Sequence, residues 1–161
     1  MLVPKLPGIS CLMACALLVA YTSAIGCSND EQVRISLERA RFRDVAPDEY
    51  VIAACGARAP AECTREVVIG GRVITAEVAE PEDATWRPVP ELAGWVDQVT
   101  LMFEAALEES GSLRRLTFEP QWHYVSEYAV DGDPESGRRV TCFLPQRVDL
   151  QACHPGGSSG P

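Results

Sequence analysis

Arg65-Glu66-Val67-Val68-Ile69-Gly70-Gly71-Arg72-Val73-Ile74-Thr75-Ala76-Glu77-Val78 is the stretch that decides the fold class. Two runs rich in β-branched residues flank a pair of glycines, and a two-residue primed turn needs positive φ at both central positions, which glycine adopts without steric cost. The stretch therefore predicts an antiparallel hairpin. Centring the turn on Gly70-Gly71 sets Val67 opposite Ile74. The period of two then gives Val67, Ile69, Ile74, Ala76 and Val78 one face, with Glu66, Thr75 and Glu77 on the other. Neither G-x-G-x-x-G nor G-x-x-x-x-G-K surrounds the glycines, so they read as a turn and not as a phosphate cradle.

Upstream, Tyr50 to Cys55 is a short β-leaning run, and before it Val33, Leu37, Ala40 and Phe42 recur at helical intervals after a Ser28-x-x-Glu31 capping box. A helix over 29–45 is expected to stop ahead of Pro47, because proline pushes its predecessor out of the α region. Downstream, residues 80–94 carry three prolines and four acids and read as a loop. Val96, Val99, Phe103 and Ala106 then mark a helix over 95–109, followed by strands at 113–119, 122–131 and 139–144 with a turn at Asp131-Gly132-Asp133-Pro134-Glu135-Ser136-Gly137. The order is helix, about three strands, helix, about three strands. Consecutive strands joined by short turns predict an α+β fold: an antiparallel sheet of about five to six strands, a second helix inserted between two strand groups, and the helices packed on one face.

The chain has 161 residues, 47% hydrophobic and 23% charged, which fits one modest globular domain. Its first 26 residues read as a leader: Lys5 gives a positive start, and residues 9–20 form a short apolar run that is diluted by Tyr21-Thr22-Ser23-Ala24. A spanning helix needs roughly 20 predominantly apolar residues, so an uncleaved anchor is the weaker alternative. Ser23-Ala24-Ile25-Gly26-Cys27 resembles the bacterial lipobox, in which the thiol of Cys27 would receive diacylglycerol; ordinary cleavage after a small-x-small triplet is the competing reading. Ser28 next to it resembles lipoproteins sorted to an outer membrane where the cell has two membranes. The expected organisation is a signal peptide at 1–26, a single α+β domain at 27–153 and a flexible tail at 154–161, addressed to the cell envelope. Loss of the leader, which holds one Lys and no acid, leaves 13 basic and 23 acidic residues and a charge of −10. Nucleic acid is then an improbable partner, because its binding draws on Lys and Arg neutralising phosphates.

Cysteine parity agrees with lipidation. Cys11 and Cys15 leave with the leader, Cys27 takes the lipid, and Cys55, Cys63, Cys142 and Cys153 form an even set in an oxidising compartment. Four cysteines allow three pairings. Cys55 with Cys63 is favoured because both flank one loop, and Cys142 with Cys153 because it would pin the C-terminal segment to the last strand. No C-x-x-C motif points to redox catalysis.

Templates for other chemistry find little. His123 and His154 are the only histidines, too few for a zinc site, and the carboxylates at 131–135 lack the glycine and the twelfth-position acid of a calcium loop, so neither metal nor cofactor is expected. His123 and Ser126 sit three apart on an expected strand and would face opposite sides. A pair of carboxylates in a cleft could support a hydrolase, but spacing along the chain singles none out. The aromatic candidates for partner binding are Trp86 in the proline-rich loop and Trp122-His123-Tyr124, set against the alternative that they close a small core.

Residues 113–131 (LRRLTFEPQWHYVSEYAVD), with 42–55 (FRDVAPDEYVIAAC) and the hairpin at 67–78, resemble small bacterial lipoproteins of domain-of-unknown-function family 6174. The match rests on Phe118, Glu119, Pro120, Tyr124, Ser126 and Asp131 and covers roughly residues 30–150, with His123 and Val125 standing where that pattern tends to have Gly and Pro. The resemblance implies a lipoprotein address and an α+β domain, and it supplies no activity. The expectation is a non-enzymatic, lipid-anchored binding module of the envelope, with a membrane contact through its N-terminal lipid and an envelope protein or cell-wall component as partner. The alternatives are an inhibitor of a secreted lysozyme- or protease-type hydrolase and, further off, a carboxylate-based enzyme.

Overall fold

Helix α1 (residues 30–45) ends two residues before Pro47, its last turn closed by the Ala46 N–H donating to the Phe42 carbonyl, and the chain is extended from Glu49 onward. The computed structural model describes residues 30–56, 61–80 and 85–153. The leader, Cys27 and the tail at 154–161 lie outside the described residues. After α1 come β1 (Glu49–Gly56), β2 (Cys63–Ile69), β3 (Arg72–Ala79) and β4 (Trp86–Pro88), then α2 (Gln98–Glu108), then β5 (Leu113–Phe118), β6 (Val125–Val130) and β7 (Asp133–Pro145), and last a 3-10 turn at Leu150–Ala152.

The fold is α+β with one fully antiparallel sheet, in the order β4-β3-β2-β1-β7-β6-β5. Two meanders meet where β7 returns to pair with β1, so the central contact of the sheet joins segments some ninety residues apart. Seven strands replace the expected five to six. The added one is β4, three residues of the proline-rich stretch that pair Trp86 with Ala79 and Pro88 with Glu77. A short strand with prolines fits only at an edge, where no second ladder needs the missing N–H.

Both helices cover one face of the sheet. Ile35 and Phe42 of α1 and Val99, Met102, Phe103 and Ala106 of α2 pack against Tyr50, Ile52, Ala54, Val68, Tyr124, Val125 and Tyr128. The opposite face carries a smaller core of Val51, Ala53, Val67, Cys142 and Cys153, covered by Leu150 of the C-terminal segment. Each large apolar side chain removed from water contributes about 1.5–3 kcal/mol. Two disulfides join Cys55 to Cys63, directly opposite across β1 and β2, and Cys142 to Cys153.

The deciding hairpin forms at Gly70 and Gly71, both with positive φ, but its register differs from the simple expectation. A bulge between Val67 and Val68 sets Val67 opposite Thr75 and leaves Ile74 as the extra residue, 54% exposed. Glu66 pairs with Ala76 on the helix side, and Arg65 pairs with Glu77 on the other. The expected alternation holds within β2, but the bulge turns β3 over against it: Thr75 and Glu77 share the face of Val67, and Ala76 and Val78 share that of Glu66. Ile69 and Ile74 are exposed, while Arg65 and Glu66 are among the most deeply buried side chains. Two further elements shift. Helix α2 begins at Gln98, capped by Asp97, so Trp95 precedes it. Residues 122–124 lie in the loop before β6 and not on a strand, with His123 at a positive φ of 61°. At the other end of β6, the turn narrows to Asp131-Gly132, because Val130 already pairs with Asp133.

Candidate functional site

The chemically strongest group is one that the hairpin pattern placed on the face opposite Val67 and gave no role. Glu66 sits on β2 beneath the start of α2, 0% exposed. Its Oε1 accepts the backbone N–H of Gln98 at 2.5 Å and its Oε2 accepts the Trp95 indole N–H at 3.0 Å. One carboxylate therefore ties the segment before α2, and the first free N–H of α2, to the middle of the sheet. Burial pushes the Glu66 carboxyl up to about 7, against the two hydrogen bonds and Arg138, which favour its charged form, and with Asp97, whose charge opposes it. Asp97 is itself engaged, accepting from the Thr100 N–H at 3.0 Å. Tyr50 adjoins both acids; burial, then the negative charges of Asp97 and Glu66, push its hydroxyl well above the usual range. Two buried polar atoms lack a partner beside this cluster among the described residues, Gln98 Oε1 and Arg138 Nε.

A perturbed carboxyl beside a second acid and a tyrosine is the constellation in which acid–base chemistry is sought. Here both acids already cap α2, and Glu66 and Tyr50 have almost no exposed surface. Two described surface depressions lie elsewhere: one on the outer side of α1, lined by Gln32, Val33, Ser36 and Leu37, the other at Ala46, Pro47, Asp48, Glu49 and Gln146. Among the described residues, no three His, Cys, Asp or Glu side chains are grouped to hold a metal ion.

On the opposite face Arg65, 1% exposed, is partnered on every side. Its guanidinium bonds Glu77 at 2.5 and 2.7 Å and the Cys153 carbonyl at 3.1 Å, and lies 4.3 Å from the centre of the Trp86 ring. Trp86, a candidate for partner binding, thus acts as a half-buried cover over an internal arginine. This explains why a lone tryptophan in a proline-rich loop holds an edge strand in place.

The other aromatic candidates meet far from Trp86, across the sheet. Trp122 and Tyr124 pack on Phe143, with ring centres 6.0 and 4.7 Å away, and Phe143 continues to Tyr50 at 5.2 Å. Burial, then the charge of Glu119, pushes the Tyr124 hydroxyl up. The loop that presents them is stitched by Glu119, whose carboxylate accepts the N–H groups of Gln121 and Trp122. His123 turns its Nδ1 to Glu38 of α1 at 2.9 Å, and Arg41 binds the same carboxylate at 2.6 Å. The structure brings Trp122, His123 and Tyr124 together at the junction of α1 and the sheet, and leaves Trp86 apart. On the exposed side of β6, burial works against the charge of Glu127, but hydrogen bonds from Arg139 and Arg115 outweigh it and hold the carboxyl below the usual range.

Sequence reasoning missed Glu66 because a charged residue in an alternating strand is ordinarily assigned to water. The signal that could have found it is the tryptophan three residues before Gln98, a donor in need of an acceptor at the entry to a helix that lacks acids in its first turn. No family model, curated protein or solved structure matches the chain. The resemblance to domain-of-unknown-function family 6174 rests on its motifs alone.

Proposed function

We propose that the chain is an exported lipoprotein of the bacterial cell envelope, anchored through a lipid on Cys27, whose α+β domain is a non-enzymatic binding module. The observation that carries this reading is the cysteine inventory. All four cysteines that follow Cys27 are paired in two disulfides, which fits an oxidising, extracytoplasmic location and leaves Cys27 as the one thiol of the processed chain available for lipid. Among the described residues, no helix is long and apolar enough to cross a membrane. A lipid on Cys27 would attach the chain stably, since two or more acyl chains hold where one is marginal.

Mass spectrometry of the mature N-terminus tests the address: a diacylglyceryl thioether on residue 27 is expected, and an unmodified N-terminus at any position overturns it. Crosslinking and pull-down from the envelope test the binding role, with exposed positions varied in place of Trp86, since Trp86 supports Arg65. A binding module yields a specific partner; repeated recovery of none counts against it. The charge of −10 after processing favours one second reading, an inhibitor of a basic secreted hydrolase, because opposite charge raises encounter rates. Lysozyme and protease assays with added protein decide it by whether turnover falls.

A further inference from the structure

We propose that the outward face of α1 lies flat against the bilayer, with Val33 and Leu37 in contact with the lipid headgroup region, so that the domain is oriented by its first helix as well as held by its lipid. The inference rests on the lipidation of Cys27 and adds a specific contact surface to it.

Proximity comes first. Only two residues separate Cys27 from residue 30, where α1 is already formed. Three peptide steps reach at most about 10 Å, and the helix rises about 1.5 Å per residue, so Val33 and Leu37 are held within about 20 Å of the anchored sulfur. The character of the face is the second argument. Val33 and Leu37 are 58% and 55% exposed, and with Ser36 and Ala40 they form a stripe without charge over two turns. The charged residues of the same turns are directed elsewhere: Arg34 lies over the Phe118 ring at 5.2 Å, Glu38 meets His123 and Arg41, and Arg39 meets Glu104. Apolar side chains left open on a helix beside a tether are the form an interfacial helix takes.

Charge is the third argument, and it selects the bilayer over other occupants. Over residues 30–45, four arginines balance four acids, so α1 is neutral, while the rest of the processed chain carries the whole −10. Anionic headgroups repel that remainder and leave α1 as the approach that costs least.

The test uses the processed, lipidated protein in vesicles of phosphatidylethanolamine and phosphatidylglycerol, with bromine-labelled acyl chains as quencher. A Val33→Trp variant adds one fluorophore to the stripe and a Gln151→Trp variant adds one to the C-terminal turn, each read as the difference from the unsubstituted protein. Bromolipid is expected to reduce the added emission at 33 at least twofold and to leave that at 151 unchanged. Combining Val33→Trp with Leu37→Asp, a change at a solvent-exposed position, should cut the quenching at 33 by about half or more while flotation with vesicles persists. Equal quenching at 33 and 151, or none at 33 in protein that floats, overturns the oriented contact and leaves the anchor standing. Protection of position 33 that depends on protein concentration and ignores bromine assigns the face to a second copy and overturns it as well. Failure to float removes the anchor itself, and the inference with it.

Discussion

Two charged residues buried side by side, Arg65 and Glu66, face opposite sides of the same strand and carry different physics. Arg65 has a carboxylate, a carbonyl and an aromatic face around it. Removing one member of a buried pair strands the other, so Arg65→Met should lower unfolding free energy by about 3 kcal/mol or more, read from the shift in denaturant midpoint at constant slope. Among the described residues Glu66 has two hydrogen bonds and no ion pair, and burial raises its carboxyl from the ordinary 4.5 to about 7. The sign follows from which state holds the proton more tightly. The folded protein does, so this contribution to stability is complete below about 4.5 and is lost as pH rises through about 7. A shift of that size corresponds to about 3 kcal/mol. Unfolding of the wild type at pH 5 and pH 8 should show that loss at the higher pH, and Glu66→Gln should remove most of the difference. An equal pH dependence in the variant would mean that the carboxyl is already ionised in the folded protein at pH 5.

At the scale of elements, the C-terminal segment is held by a covalent bond where its own apolar content is small. Leu150 and the 3-10 turn cover Val51 and Val67, and the Cys153 carbonyl binds Arg65. The Cys142–Cys153 bridge spans 11 residues, for which the chain-entropy estimate is about 3 kcal/mol. The double variant Cys142→Ser with Cys153→Ser should therefore lower stability by about that amount, and hydrogen exchange should rise first at 146–153, ahead of β1. Uniform exchange across the domain would show that the segment is held by packing alone. The hairpin teaches the complementary point. Its turn was legible because two successive glycines take positive φ without steric cost, and the bulge that follows was not, because Ile74 and Thr75 are equally good strand residues. One inserted residue reversed the faces and put Ile74 into water.

Across the whole molecule, the excess of acid acts on every residue at once. With the chain at −9, self-repulsion opposes compactness, and raising ionic strength from about 0.01 M to 0.15 M shortens the screening length from about 30 Å to about 8 Å. The midpoint of urea unfolding should rise over that range; a fall would mean that attractive pairs such as Arg115–Glu127 and Arg139–Glu127 outweigh the net charge. By itself the sequence determined the elements with a local cause: helix α1 and its end before Pro47, the glycine turn, the antiparallel α+β class, and the two loops closed by neighbouring cysteines. Each is set by steric or pairing rules that act within about a dozen residues. Tertiary structure decided what depends on distant partners. It paired β7 with β1 at the centre of the sheet, turned Trp86 into the cover of Arg65 and carried Trp122 and Tyr124 onto Phe143. It also buried Glu66 under a helix that begins thirty-two residues later. A side chain's burial depends on what packs over it, and in an α+β chain with two meanders that cover arrives from the other end of the sequence.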